Sequence, residues 1–155
     1  MSRQLDLIKA VLDDLKSQVP DLATVDRTHT EVPFWFPPER SLAFWWNGEL
    51  DPHDEDATGS TLMNEEYVLR YWEPSSWDEH TLERDAEAEE KIRLLFAEVR
   101  TRFLSYDSLT GRSQVASFLY VRGAPLHASA GQAGESGLVR GFEMRFLAKR
   151  YHAYS

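Results

Sequence analysis

The side chains with the most evident chemistry in this 155-residue chain lie in an acidic stretch, residues 50–60. The stretch contains one histidine and four carboxylates: His53, Asp51, Asp54, Glu55 and Asp56. Such groups can bind metal, but an EF-hand calcium loop needs acidic ligands at alternate positions, a central glycine and a closing glutamate. The spacing does not match, so we predict a solvated, flexible hairpin tip. The alternative is a small metal-binding enzyme domain that uses His53 with Asp51 and Asp54.

No other stretch supplies a recognisable catalytic motif. The sequence contains no Gly-x-Ser-x-Gly elbow, His-Glu-x-x-His or dinucleotide fingerprint. The glycine-rich stretch 123–137 has no Gly-Lys-Ser/Thr ending, so it is predicted to be a flexible loop and not a phosphate-binding loop. The other histidines are scattered, and the absence of cysteine excludes a disulfide, a thiolate metal site and a cysteine nucleophile. We therefore expect a protein that is not an enzyme, with no catalytic residue, cofactor or metal.

Composition and charge narrow the class further. Residues 1–155 are expected to form one domain, because 42% hydrophobic residues in a chain of this length can bury a core. No apolar run approaches the ~18 residues of a membrane span, and Asp6 and Lys9 interrupt any signal-peptide core. A net charge of −9 disfavours general nucleic-acid binding, which depends on clustered Lys and Arg. An acidic surface would repel DNA that slides past it.

Two central elements are expected to position the rest of the chain. Leu62–Glu73 alternates as a strand, with Tyr67 and its neighbours two residues apart on one face and Val68 and Trp72 on the other. Pro74 is expected to end this strand. A helix then runs from Trp77 to Leu104, starts with the capping box of Ser76–Glu79 and has one apolar stripe. The stripe consists of Leu82, Ala86, Ile92, Leu95, Phe96, Val99 and Phe103.

The remaining elements complete an α/β (α+β) fold. An amphipathic helix covers residues 3–19 and ends at Pro20. Strands are predicted at residues 22–28 (carrying Leu22 and Val25), 41–47, 113–121 and 138–150, with a turn at residues 106–112. The fold class is therefore a mixed or antiparallel sheet of four to five strands, with an N-terminal helix and one long central helix packed on it.

Aromatic residues between prolines mark Val32–Pro38 as irregular, because proline removes ladder donors. This segment either folds over the core as an aromatic loop or docks on a neighbouring subunit. The chain has five Trp, eight Phe and six Tyr, a surplus that favours oligomerisation. The interface candidates are Phe34, Trp35, Phe36, Trp45 and Trp46.

The order of these elements resembles the tail terminator (head–tail joining, neck) proteins of long-tailed bacteriophages. The stretches that carry the resemblance are Ile8–Leu15, Ser41–Trp46 with the acidic stretch after it, Glu66–Trp72 leading into Ala86–Phe103, and Gly141–Phe146. Together they cover nearly the whole chain, as a match of pattern and length without an invariant motif.

The resemblance implies a virion protein, assembled in the host cytoplasm, whose subunits form a homo-oligomeric ring, typically a hexamer. Such a ring caps the tail-tube protein, ends tail polymerisation and meets the head connector or other neck proteins, with no active site, cofactor or membrane contact. DNA passes through the lumen without specific binding, and Asp51, Asp54, Glu55 and Asp56 are candidates for its acidic lining. A head–tail adaptor or head-closure subunit remains the alternative.

Overall fold

Strand pairing organises the computed structural model, which describes residues 3–34, 36–37, 39–55, 60–75, 82–104, 115–129 and 138–153. Within these residues, five strands form one mixed sheet in the order β1-β2-β3-β5-β4, in which β1 and β2 pair in parallel and the other neighbours pair antiparallel. In chain order, the elements are α1 Arg3–Gln18, α2 Pro20–Ala23, β1 Arg27–His29, β2 Ser41–Glu55, β3 Ser60–Ser75, α3 Leu82–Leu104, β4 Val115–Ser129 and β5 Leu138–Ala153. The predicted α+β class, a sheet with an N-terminal helix and a second long helix packed on it, is confirmed.

The central strand β3 has the two apolar faces that its alternation predicts. Tyr67, Leu69 and Tyr71 are buried on the face that the helices cover, and Val68 and Trp72 are buried on the opposite face. β3 pairs with β2 on one side and with β5 on the other. Its register with β5 runs from Ser60 opposite Ala153 to Ser75 opposite Leu138 without a shift. A strand covered on both sides buries both sets of alternating side chains.

Helices α1 and α3 lie on the same face of the sheet. Their buried apolar residues join one cluster with β2, β3 and β5 side chains, including Phe44, Tyr67 and Phe146. Arg102 of α3 donates to Asp14 of α1, with Nη2–Oδ1 at 2.6 Å, and this ion pair links the two helices. The C-terminal part of the predicted stripe is buried as expected, but Ala86 is exposed. Near Ala86, α3 approaches the sheet through the ion pair of Asp85 with Arg140 instead of through apolar contacts.

One boundary predicted from proline holds and one is wrong. The helix predicted at residues 3–19 ends at Gln18, before Pro20, and Pro20 then lies at the first turn of the short helix α2, where its fixed φ suits a helix start. Leu22, predicted in a strand, is therefore buried in a helix, and β1 begins only at Arg27. Pro74 does not end β3, because the strand has already passed its last β2 partner at Trp72 and has become an edge that tolerates proline. The predicted capping box and helix start at residues 76–81 lie outside the described residues.

Both predicted flexible loops are shorter than expected. β2 continues through Glu55, so Asp51, Asp54 and Glu55 belong to a strand, and β4 continues through Ser129. Cross-strand pairing outweighs the weak strand propensity of these acidic and small residues. Register shifts in β2 absorb the irregular sequence, with Pro52 opposite Met63. Residues 56–59 and 130–137, and the turn predicted at 106–112, lie outside the described residues.

One ion pair is buried inside the core. Arg150 of β5 donates through Nε to Glu65 of β3, and both side chains are almost fully inaccessible. The same guanidinium donates to the Tyr67 hydroxyl at 3.1 Å, and Gln4 of α1 donates to the second Glu65 oxygen at 3.0 Å. Buried charges of this kind are tolerated when both partners are present and hydrogen-bonded. The pair therefore ties the end of the sheet to the N-terminal helix.

Gly141→Ala is expected to reduce the free energy of unfolding by more than about 3 kcal/mol. A Cβ on Gly141 would overlap the Tyr71 carbonyl oxygen of the adjacent strand, and neither backbone can move away without disturbing the ladder. Gly48→Ala is the control: Gly48 has φ +109° and open space around it, so only about 1–2 kcal/mol of backbone strain is expected. Urea denaturation followed by tryptophan fluorescence measures both, and equal losses would contradict this account.

Arg150→Met is expected to cost about 3–5 kcal/mol, because it leaves the Glu65 carboxylate buried without its cationic partner. The double variant Glu65→Leu/Arg150→Met should recover most of that loss, since an apolar pair of similar volume is often as stable as a buried ion pair. Chemical denaturation of the two single variants and the double variant completes the cycle. A double variant no more stable than Arg150→Met would show that charge burial is not the cause.

Candidate interaction surfaces

The helix-free face of the sheet is the first candidate surface. In the described part of the chain, neither long helix contributes to the apolar cluster on this face, which consists of Ala43, Trp45, Val68, Trp72 and Val139. Phe36 covers part of it, with its ring edge-on to Trp72 at 5.4 Å, and the Trp72 indole donates to the Pro37 carbonyl at 3.0 Å. The segment before β2 thus folds over this face. This agrees with the first of the two predictions for Val32–Pro38, an aromatic loop folded over the core.

A strip of paired charges crosses the same face. Arg145 of β5 lies 2.7 Å from Glu66 of β3 and 3.2 Å from Glu143. Glu143 in turn pairs with Arg70 at 2.9 Å, and the Arg70 guanidinium lies 4.9 Å from the Trp45 ring centroid, a cation–π contact. The acidic and basic groups alternate along the strip, so their charges are balanced. This part of the face offers matched polar groups to a partner and no excess charge.

The predicted interface aromatics separate into buried and exposed groups. Trp45 is 5% exposed and Phe36 is half-buried, whereas Trp46 is 42% exposed and Phe34 is 98% exposed. Trp35 lies outside the described residues. On β4, which pairs only with β5 among the described strands, Leu119 and Val121 are more than half exposed. Phe34, Trp46, Leu119 and Val121 are thus accessible to a partner, as are Val32, Leu50 and Leu94.

A cavity of about 400 Å³ lies beside Phe34, between β1 and residues 30–37. His29 lines it and stacks on Trp72 with ring centroids 5.8 Å apart. The His29 Nε2 is buried and has no hydrogen-bond partner among the described residues. Burial and the nearby Arg27 charge lower the pKa of His29, which Glu39 partly opposes. His29 is therefore a neutral wall of this cavity.

A second cavity, of about 380 Å³, opens between α3 and the far half of β4. Its apolar floor is formed by Ile92, Phe96, Pro125 and Phe142. Polar groups meet at its rim. His127 Nε2 lies 2.6 Å from Glu89 Oε1, and the nearly buried Arg140 reaches Glu89 at 3.6 Å and Asp85 at 3.0 Å. An apolar pocket with a few convergent polar groups is the usual form of a binding site.

Sequence reasoning missed this second cavity, because it assigned His127 to a flexible loop and gave Glu89 of the long helix no role. The residues meet only once β4 extends to Ser129 and places His127 opposite Arg140. No local pattern in the sequence relates positions that lie 38 residues apart. One signal was available: Ala124, Leu126 and Ala128 are apolar at every second position, and this alternation continues the strand pattern beyond Val121.

Three of the four acidic candidates, Asp51, Asp54 and Glu55, lie near the end of β2. Their side chains, and the whole of Asp56, lie outside the described part of the structure. Where the structure does describe the side chains, no group of three or more His, Asp or Glu residues is placed to hold a metal ion. The metal alternative with His53 falls on side chains that are not described.

Comparison with known proteins assigns neither a family nor a function to the chain. No known family's sequence model matches the chain, and no curated protein matches it. Among the described helices, none is both long and apolar enough to cross a membrane.

His29→Phe is expected to flatten the loss of stability on acidification. Because the folded-state pKa of His29 is below 6.5, its contribution is present above pH 6.5 and is lost as the pH falls from 6.5 through the folded-state pKa. Phenylalanine keeps the stack on Trp72 but cannot titrate. Arg27→Met is the control, because it removes one cause of the lowered pKa of His29. It should narrow the pH range over which stability is lost without abolishing the loss. Urea denaturation at several pH values from 5 to 8 gives the free energy of unfolding as a function of pH. Profiles that His29→Phe leaves unchanged would exclude His29 as a cause of the loss of stability.

Proposed function

We propose that this protein is a structural subunit of a long-tailed bacteriophage, which forms a ring on the tail tube, ends tail polymerisation and joins the tail to the head. The order of elements carries the proposal: an N-terminal helix, a short strand, an aromatic strand, an acidic hairpin, a central strand, one long helix and two closing strands. The tail terminator resemblance rests on the same order, and the mixed sheet with helices packed on it is the fold that the resemblance implies.

The asymmetry of the sheet supports assembly into a ring. Helices cover one face, whereas the opposite face is closed only in part by Phe36 and otherwise carries the balanced charge strip. Exposed Trp46, Leu119 and Val121 add apolar area near both sides of the sheet. Contiguous apolar patches rimmed by polar groups are typical of protein–protein contacts, and Leu119 and Val121 lie two residues apart on β4. We expect six subunits in the ring, from the resemblance.

The charge supports passage of DNA through such a ring. The chain carries 26 acidic and 17 basic residues, and the end of β2 adds Asp51, Asp54 and Glu55 in close succession. If the β2–β3 hairpin faces the lumen, its carboxylates repel phosphate and prevent adhesion. In this proposal the protein contacts itself, the tail-tube protein and the head connector or other neck proteins. It performs no catalysis and needs no cofactor.

A phage mutant that lacks this protein should produce over-long or headless tails, because nothing would then cap tube growth or receive the head. Negative-stain electron microscopy of lysates measures tail length and head attachment. Supplying the wild-type gene in trans is the control and should restore normal virions. Normal virions without the protein would contradict the proposal.

A binding assay separates the proposed function from its closest alternative. Purified protein should bind isolated tail tubes and not portal-bearing heads. Binding to heads alone would instead assign the protein as a head–tail adaptor or head-closure subunit. Sedimentation with each particle, followed by gel electrophoresis, gives the distribution.

A further inference from the structure

Phe34 is an aromatic side chain that the described part of its own chain leaves uncovered. It is 98% exposed, and Val32 beside it is 48% exposed. Burial of one such side chain contributes roughly 1.5–3 kcal/mol, and Phe34 does not realise this gain within its own subunit. A single exposed apolar residue is ordinary, but this one lies at the tip of an anchored segment.

Contacts on both sides hold the Phe34 segment in place. Before it, Arg27 pairs with Glu39 at 2.5 Å; after it, Phe36 packs on Trp72 and Arg70. The backbone N–H of Arg40 also donates to Asp26 at 3.1 Å, which ties the two ends of the segment together. A side chain presented on a braced segment loses little conformational entropy on binding, so its burial is converted efficiently into affinity.

The cavity under α3 has the size and lining that such a side chain needs. A cavity of about 150 Å³ accommodates benzene, so about 380 Å³ leaves room for a phenyl ring and part of Val32. Phe96 and Phe142 meet edge-on at 5.4 Å in the floor, where a third ring can pack against them. At the rim, Arg93 is 71% exposed and pairs with the exposed Glu90 at 3.5 Å, and Glu31 is exposed three residues before Phe34. Glu31 of another copy can replace Glu90 as the partner of this guanidinium.

The sheet order prevents this contact within one subunit. Phe34 follows β1 at one edge of the sheet, whereas the cavity involves β4 at the other edge. Four strand spacings of about 4.8 Å separate the two edges by roughly 19 Å. A projection and a complementary cavity at opposite edges of one molecule join copies head to tail, and such a contact generates a ring when the rotation closes.

We propose that Phe34 of one copy inserts into the cavity between α3 and β4 of the next copy. Glu31 then pairs with the next copy's Arg93 across the rim. The inference rests on the proposed ring, because it identifies the contact through which the subunits of that ring associate. It does not depend on the tail as the place of assembly.

Because the chain has no cysteine, engineered cysteines report this contact without background. Val32→Cys and Arg93→Cys are introduced into separate full-length chains that carry different tags, and the mixture is oxidised. Val32 and Arg93 lie beside the proposed anchor and at the cavity rim, so Phe34 itself stays intact. Mixed disulfide dimers are expected, and the chain that carries both cysteines should give a ladder or a closed ring.

Two matched controls make the result specific. Leu94→Cys replaces Arg93→Cys with a neighbouring exposed position (64% exposed) that does not line the cavity, and mixed dimers should then form much more slowly. Adding Phe34→Ala to the Val32→Cys chain should reduce mixed-dimer formation by about 30-fold, as expected for loss of an aromatic anchor. Circular dichroism checks that each variant is folded.

Three results overturn the inference: mixed dimers that form equally fast with Leu94→Cys, a yield that Phe34→Ala leaves unchanged, or failure to form any mixed dimer. Tail morphology separates this outcome from failure of the proposed function. Specific dimers combined with normal tails in the deletion mutant would retain the contact and reject the phage role. Abnormal tails without specific dimers would retain the role and reject this contact.

Discussion

Pairing of the central strand β3 on both sides is the constraint on which the rest of the structure depends. A slip of one residue in a strand reverses all of its side chains between the two faces, and both faces of β3 are buried. Two contacts specify its register with β5: Gly141 lies too close to the Tyr71 carbonyl for any side chain, and Arg150 reaches Glu65 as a diagonal neighbour. With that register set, the helices have one apolar face to cover.

The unequal covering of the two faces links the fold to the proposed assembly. On one face, α1 and α3 bury a continuous core and close it with the ion pair of Asp14 and Arg102. On the other, a loop and alternating charges replace the helices, so that face remains available to a partner without being strongly apolar. Interfaces of this mixed character suit subunits that must fold alone before they assemble.

The aromatic residues show how far composition can mislead. Their number suggested an interface, yet most of those described pack inside the subunit, where Phe44, Tyr67, Phe103, Phe118 and Phe146 form one cluster of ring contacts. Trp45 is likewise buried, beneath Arg70. Composition counts rings without regard to their direction, and only the packed structure distinguishes a core ring from Phe34, which points into solvent. The proposed contact between copies therefore rests on Phe34 and not on the aromatic surplus.

The sequence by itself determined the amphipathic first helix, the alternation of β3 and the C-terminal part of the apolar stripe of α3. These follow from periods of 3.6 and 2 residues, which local sequence records directly. Tertiary structure decided what depends on pairing between distant residues. Cross-strand pairing drew residues 50–55 of the acidic stretch and residues 123–129 into strands, and edge position let Pro74 remain in β3. The extended β4 then brought His127 to Glu89 beside a cavity that no local pattern shows.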